Sequence, residues 1–276
     1  MLVHAPAKLN LCLYLGETRR DGLHELCSLF EPLALADLIE VTPAERDEVV
    51  CAGVEGENLA ARALAALRER GWDREPLRIE IEKRTPVAAG LGGGSADAAA
   101  VLRLASGEVD DLAGLAAELG ADVPSQLRPG LALVQGAGER IEPLPAPAPH
   151  AAVLLPDGGG LSTPEVFVEA DRLGVGRDAA ELGELAARLR EVAGAGASPL
   201  AYPELLVNDL EAPARSLRPA IGTALEALRD AGAPLALLSG SGPTAVGLFS
   251  DLAAARAAAA ELDRDDAIVC EAGQAP

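Results

Sequence analysis

The chain has 276 residues, enough for one large domain or two of ordinary size, and 49% of them are hydrophobic, so a full core can be buried. Only 2% are aromatic, which leaves that core to Ala, Leu, Val and Ile. The formal charge of −20 repels a nucleic-acid backbone and an anionic membrane surface, so neither is an expected partner, and an anionic small molecule would need a local cluster of basic groups.

The first predicted element is a strand, in which Leu9, Leu11, Leu13 and Leu15 alternate with Asn10, Cys12 and Tyr14. Short strands are expected at 37–41 and 49–51. A helix over 58–70 has Asn58 as its N-cap and stops at Gly71. A strand over 77–83 leads into a glycine loop, and helices follow at 95–105 and 111–119, the second ending at Gly120. Residues 131–134 read as a strand. The proline run from Pro143 to Pro149 is the clearest linker and divides the chain near residue 148, into 1–148 and 149–276. The second part opens with a strand at 151–155 and a glycine turn at 158–160. Helical patterns follow at 164–172, 179–193, 204–216 and 219–231. Strands at 235–238 and 244–249 flank a second glycine-rich loop, and a helix at 251–262 and a strand at 267–271 close the chain. Strands and helices mix in both parts, so the expectation is two α/β or α+β domains.

Four cysteines, Cys12, Cys27, Cys51 and Cys270, are scattered without metal-ligand spacing. Reduced thiols in a cytoplasmic protein are the simplest reading. The N-terminus lacks a basic region followed by an apolar core, so no signal peptide is expected, and no apolar run approaches the ~18 residues of a membrane span. Among the 23 Lys and Arg residues only Lys8 and Lys83 are lysine. A compact ammonium in so arginine-rich a chain marks positions where a planar fork would not serve.

The most informative stretch runs from Pro86 through Ala89, Gly90, Leu91, Gly92, Gly93 and Gly94 to Ser95, Ala96 and Asp97. Strand, glycine loop and helix N-terminus in that order let backbone N–H groups close on a phosphate without Cβ atoms in the way. A Walker-type loop needs Lys before the hydroxyl residue, whereas Gly94 precedes Ser95 here. A dinucleotide fingerprint needs a third glycine where Ser95 stands. Both common phosphate loops are excluded, which leaves a different nucleotide loop or a structural turn.

Three further segments bear on that choice: Ala5-Pro-Ala-Lys8-Leu-Asn10, Gly120-Ala-Asp122-Val-Pro124 and Ser239-Gly240-Ser241-Gly242-Pro-Thr244. Together with the loop at 86–98 they resemble the GHMP small-molecule kinases in order and near spacing. Arg19-Arg-Asp21-Gly22-Leu23-His24, Lys83-Arg-Thr-Pro86, Gly136-Ala137-Gly138-Glu139, Ser162-Thr163-Pro-x-x-Phe167 and Asn208-Asp-Leu-Glu211 are similar to the branch acting on CDP-methylerythritol. The resemblance spans about residues 3 to 249. It implies an α+β fold of two domains, the first with a left-handed-crossover nucleotide site and the second ferredoxin-like. It also implies ATP-dependent phosphorylation of a 2-hydroxyl on that substrate, in non-mevalonate isoprenoid synthesis, by a monomer or homodimer. Another GHMP kinase, for homoserine or mevalonate, and a non-catalytic nucleotide binder are the alternatives.

The resemblance also implies roles for individual residues. ATP phosphates and Mg²⁺ lie against Pro86 and residues 89–96, with Ser95 either helping to hold the metal or capping its helix. Its position in the expected first helical turn, apart from the resemblance, gives Asp97 a favourable interaction with the helix dipole, with direct metal ligation as the alternative. Lys83 and Asn58 approach the nucleoside of ATP. Asp122 is the general base, with Lys8 beside it. Asn10, Leu23, His24, Ala137, Thr163 and Phe167 line the substrate pocket, and Ser239 to Gly242 form the second loop. Two departures stand out: Leu23 where the family usually has Tyr, and Ser125-Gln126 where an aromatic is common.

Overall fold

The computed structural model describes residues 1–54, 56 and 58–276. Two long antiparallel strands, β1 (Leu2–Thr18) and β2 (His24–Pro43), form its spine. Next come β3 (Glu48–Cys51), α1 (Leu59–Glu69), β4 (Leu77–Glu82), α2 (Gly93–Arg103), α3 (Leu112–Leu119) and the single turn α4 (Val123–Gln126). β5 (Ala132–Gly136), β6 (Arg140–Pro143), β7 (His150–Leu155), α5 (Thr163–Leu173), α6 (Ala179–Gly194), α7 (Glu211–Leu217) and α8 (Ala220–Asp230) follow. β8 (Leu235–Leu238), β9 (Ala245–Phe249), α9 (Leu252–Glu261) and β10 (Ile268–Ala272) complete the order.

β2 is long enough to change partners along its length. Leu26–Phe30 pair with β5, Leu33 meets Ala272 of β10, and Leu38–Pro43 pair with β4, all while β1 runs along its other side. β10 in turn pairs with β7, so the sheet continues from β3 through β4, β2, β10, β7 and β9 to β8. α1, α2 and α3 cover one part of this sheet over a core of Ala, Leu and Ile. β7, β8 and β9 carry α8 and α9 around a second core, and a third lies between β1, β2 and α6.

The predicted strand at 9–15 exists, but residues 5–16 are buried on both faces, so the alternation reports no solvent side. The first part of β2 was not predicted. It lies covered on both faces and carries Glu31-Pro32 in mid-strand, which hides any period of two. Three boundaries need correction. α2 begins at Gly93, two residues ahead of the predicted Ser95, because Gly92 in the left-handed region starts the helix. β6 lies in a stretch for which no strand was predicted. The predicted helix over 204–216 is broken: a 3₁₀ turn spans Pro203–Leu205, residues 207–209 run against β1, and only α7 is helical. Asn208 causes the break. Its Nδ2 donates to the Leu238 and Gly240 carbonyls at 2.8 and 2.7 Å, while its Oδ1 accepts from Leu210 N. No helix among the described residues is long and apolar enough to cross a membrane.

Candidate active site

Lys8 and Asn10 share one face of β1, as residues two apart on a strand must. The Lys8 ammonium donates to Asn10 Oδ1, sits 3.4 Å from Asp122 Oδ2 and lies 4.6 Å from the centre of the Phe30 ring. Asn10 is itself fixed, because its Nδ2 donates to Ser28 Oγ at 3.0 Å and Ser28 donates on to the Cys12 carbonyl. Lys8 is therefore a buried cation aimed by a chain of hydrogen bonds rather than a solvated strand residue. Asp122 precedes α4 but its side chain does not cap that helix, which leaves the carboxylate to face Lys8 and the cleft. Ser125 and Gln126, the departure near Asp122, are buried in α4. Ser125 Oγ donates to the Asp122 carbonyl at 2.7 Å, so the turn closes without an aromatic side chain.

The two glycine loops meet at this point. Gly90 has φ +74°, and a Cβ there would stand 2.5 Å from the Ser239 carbonyl oxygen and 2.8 Å from that of Gly242. Ser239 Oγ donates to the Gly90 carbonyl at 3.0 Å and accepts from Asn10 N at 3.3 Å. Gly92, with φ +67°, would drive a Cβ to 2.8 Å from the Lys8 stem. Lys8 N donates to the Leu91 carbonyl at 2.8 Å, which ties the loop to β1. Ala89, Leu91 and Ala96 point into the core, so only their backbones are available to a ligand. Ser95 lies in the first turn of α2 and lines the cleft, and the helix start at Gly92 removes the capping role considered for it.

Gly90, Gly92 and Ser95 share a cleft of about 610 Å³ with Lys8, Asn10 and Asp122. Leu23, His24, Ala137, Thr163, Phe167, Gly240 and Ser241 complete the predicted residues that line it. Thr163 Oγ1 and Ser241 Oγ share a hydrogen bond of 2.8 Å, joining α5 to the second loop. His24 Nδ1 donates to the Gly16 carbonyl at 3.2 Å, and its ring centre lies 5.4 Å from that of Phe167. Among the described lining residues Lys8 is the one lysine or arginine. The cluster of basic groups that the net charge led us to expect is absent there. Gly90 and Gly92 line the cleft instead, beside the positive end of α2.

Lys83 and Asn58 lie outside the cleft lining. Asn58 Oδ1 accepts from Ala60 N at 2.8 Å and caps α1 as predicted. Lys83 is half-buried between two carboxylates, Asp37 and Asp97, at 2.5 and 2.8 Å. Asp37 Oδ1 also accepts from the backbone N–H groups of Arg84 and Thr85, at 2.6 and 2.7 Å, where the chain turns into the glycine loop. Asp97, on α2, lies beyond the first helical turn and serves this ion cluster instead of the helix dipole. Burial works against the Lys83 charge, but the carboxylates outweigh it and hold its pKa above the ordinary value. One ammonium cannot fully serve two buried carboxylates, and burial pushes Asp97 up to about 7.

The sign of the resulting pH effect follows from linkage. The folded state holds a proton on Asp97 that the unfolded chain has released above its ordinary value of 3.8. This group's contribution therefore falls as pH rises toward about 7 and then levels. Asp97→Asn, which stays neutral, should gain in melting temperature on the parent protein between about pH 5 and pH 8. Thermal melts across that range test this, and a constant gap between the two proteins defeats it.

Sequence reasoning missed Asp37, Ser28, Phe30 and Asp171. The first three lie on the unpredicted part of β2 or carried no motif. Asp171 stands four residues past Phe167, on the same face of α5, and Phe167 was the available signal.

Comparison with known proteins adds an independent line. Residues 58–130 match the GHMP kinases N terminal domain and residues 175–267 the GHMP kinases C terminal domain. The chain is 44% identical to a 4-diphosphocytidyl-2-C-methyl-D-erythritol kinase of Anaeromyxobacter dehalogenans, over 92% of this chain and 82% of that one. A protein of the same name from Nocardia farcinica is 41% identical over 95% and 89%. A crystal structure of 4-(cytidine 5'-diphospho)-2C-methyl-D-erythritol kinase superposes with a TM-score of 0.82 at 37% identity, over 99% of this chain and all of that one. A homoserine kinase from Cytophaga hutchinsonii superposes at 0.70 with 17% identity over 99% and 94%, a likeness of fold alone.

Proposed function

Because the chain belongs to the GHMP kinases, and within them to the 4-diphosphocytidyl-2-C-methyl-D-erythritol kinase family, we propose that it phosphorylates the 2-hydroxyl of CDP-methylerythritol with ATP. The products are the 2-phosphate and ADP, a step of non-mevalonate isoprenoid precursor synthesis. The substrate oxygen forms a bond to the γ-phosphorus as the bond from that phosphorus to the β,γ-bridging oxygen breaks. Asp122 receives the hydroxyl proton. Lys8 stands beside Asp122 and offers an ammonium to the transferring oxygens. The carrying observation is the Lys8–Asp122 pair at 3.4 Å in the cleft where both glycine loops end.

Mg²⁺ binds through few protein ligands when phosphates and water supply the rest. The cleft fits that mode: Ser95 offers one hydroxyl beside the loop, and no group of three or more His, Cys, Asp or Glu side chains forms a metal cage among the described residues. Bound there with ATP, the ion would neutralise phosphate charge. Phe167, tilted against His24, and Leu23 offer apolar cover to the cytidine. We place the boundary between the two domains near residue 148, in the proline run between β6 and β7.

A coupled assay for ADP, run with CDP-methylerythritol, homoserine and mevalonate, tests the reading. Turnover with either of the last two and none with the first overturns it. Leu23 is largely exposed at the cleft mouth, where a ring could stack on the cytosine. Leu23→Tyr is expected to lower KM for the cytidine substrate about fivefold or more, the worth of a modest base–aromatic stack. An equal or higher KM in that variant removes the stacking argument.

A further inference from the structure

The register of β1 on β2 shifts at the site. Asn10 faces Phe30 but Cys12 faces Leu29, so β1 carries one extra residue between the two pairs. A bulge of this kind interrupts the ladder and re-aims the side chains beside it. Ser28, on β2, is fully buried there and reaches both ends of the bulge. Its Oγ donates to the Cys12 carbonyl and accepts from Asn10 Nδ2 at 3.0 Å, and Asn10 Oδ1 accepts from the Lys8 ammonium. The donors in this chain run one way. A carbonyl oxygen has no proton to give, so the Ser28 hydroxyl directs its proton to Cys12 and leaves its lone pairs for the amide. The amide nitrogen is thereby held toward Ser28 and the amide oxygen toward Lys8.

We propose that Ser28 is a positioning residue for phosphoryl transfer: by anchoring the Asn10 amide, it sets where the Lys8 ammonium stands against Asp122 and the transferring group. The inference rests on the reading of the chain as a kinase. Ser28 does not line the cleft, so it acts through Asn10 and not on a substrate. Lys8 carries its charge on a flexible four-carbon stem, so the place of the nitrogen depends on what holds it. Phe30 covers it from one side, Asp122 stands at 3.4 Å, and Asn10 supplies its hydrogen-bonded anchor. Without the Ser28 hydroxyl the buried Asn10 Nδ2 has no acceptor, and an unsatisfied buried donor turns toward another one. The ammonium then follows the amide or loses it. A displacement of about 1 Å among reacting groups costs about 100-fold in rate.

The test joins kinetics to a spectroscopic signature. Lys8 and Lys83 are the only lysines, so protein made with isotope-labelled lysine gives two ε-methylene signals in an NMR spectrum. The Lys8 signal is expected upfield, because its ammonium lies over the face of the Phe30 ring, and Lys83, held by two carboxylates, reports the fold. Ser28→Ala should move the Lys8 signal toward the ordinary lysine position and leave that of Lys83 in place. It should lower kcat for ADP formation with CDP-methylerythritol by about 10- to 100-fold, with KM for ATP within about twofold of the parent. Ser28→Thr, which keeps the hydroxyl, should restore most of the rate. An unmoved Lys8 signal in Ser28→Ala, or equal losses of kcat in the Ala and Thr variants, overturns the inference. Where Ser28→Ala disturbs both lysine signals through lost folding, Ser28→Cys, which fills the space with a weak donor, is read in its place, and a parent-like Lys8 signal and kcat overturn the inference. Absence of ADP formation by the parent protein with CDP-methylerythritol overturns the functional reading. The lysine signals need no substrate and decide the role of Ser28 separately.

Discussion

Replacing Asp122 with asparagine is expected to lower kcat by about 10²–10⁴-fold with little change in KM for ATP, the range of a lost general base. The substitution keeps the side chain's volume and removes its capacity to take a proton. Structural cost should be small, because the carboxylate caps no helix and its side chain is 34% exposed. Lys8 would lose an ion-pair partner but keep its bond to Asn10 and its place over Phe30. Steady-state ADP production with CDP-methylerythritol checks the outcome. If Asp122→Asn keeps more than about a tenth of the parent kcat, the proton goes elsewhere and Asp122 is a structural residue at a helix start.

Lys83→Met is expected to destabilise the fold by about 3–5 kcal/mol, the cost of removing one partner from a buried ion cluster. Asp37 is fully buried and Asp97 nearly so, and without the ammonium the two carboxylates face each other. The damage should reach the nucleotide loop, because Asp37 holds the Arg84 and Thr85 N–H groups and Asp97 belongs to α2. A rise in KM for ATP should accompany the loss. Urea unfolding of Lys83→Met and of the double variant with Asp97→Asn provides the measurement. The double variant should lose less than the sum of the two single changes, since removing both charges relieves the like-charge contact. A loss under about 1 kcal/mol in Lys83→Met would place the cluster among ordinary surface pairs.

Much of the site was legible in the sequence because its parts are local. A glycine-rich turn and a helix start lie within ten residues of each other, and Lys8 with Asn10 needs only a strand's period of two. Ser95, by contrast, was given two roles that only the position of Gly92 could separate. Lys83 looked like a strand-end charge near a nucleotide. Its partner is Asp37, 46 residues earlier, and although a strand is expected at 37–41 no local pattern joins the two. The break at 206–210 was hidden for a related reason. Asn208 bonds to carbonyls thirty residues downstream, and no local pattern encodes that. Non-local hydrogen bonds, more than composition, set the limit of the reading.

The contact between Gly90 and the loop at 239–242 also bears on biosynthesis. Ser239 lies 149 residues after Gly90, so at ribosomal rates the first loop waits about 7–30 s for its counterpart to be made. Throughout that interval the strand bearing Lys8 lacks the neighbour that orders it from the far side. A nascent chain paused before residue 239 would hold the sequence of a phosphate loop without the wall it leans on. Competence to bind nucleotide is therefore a late event in the life of this polypeptide, reached only when distant segments have docked.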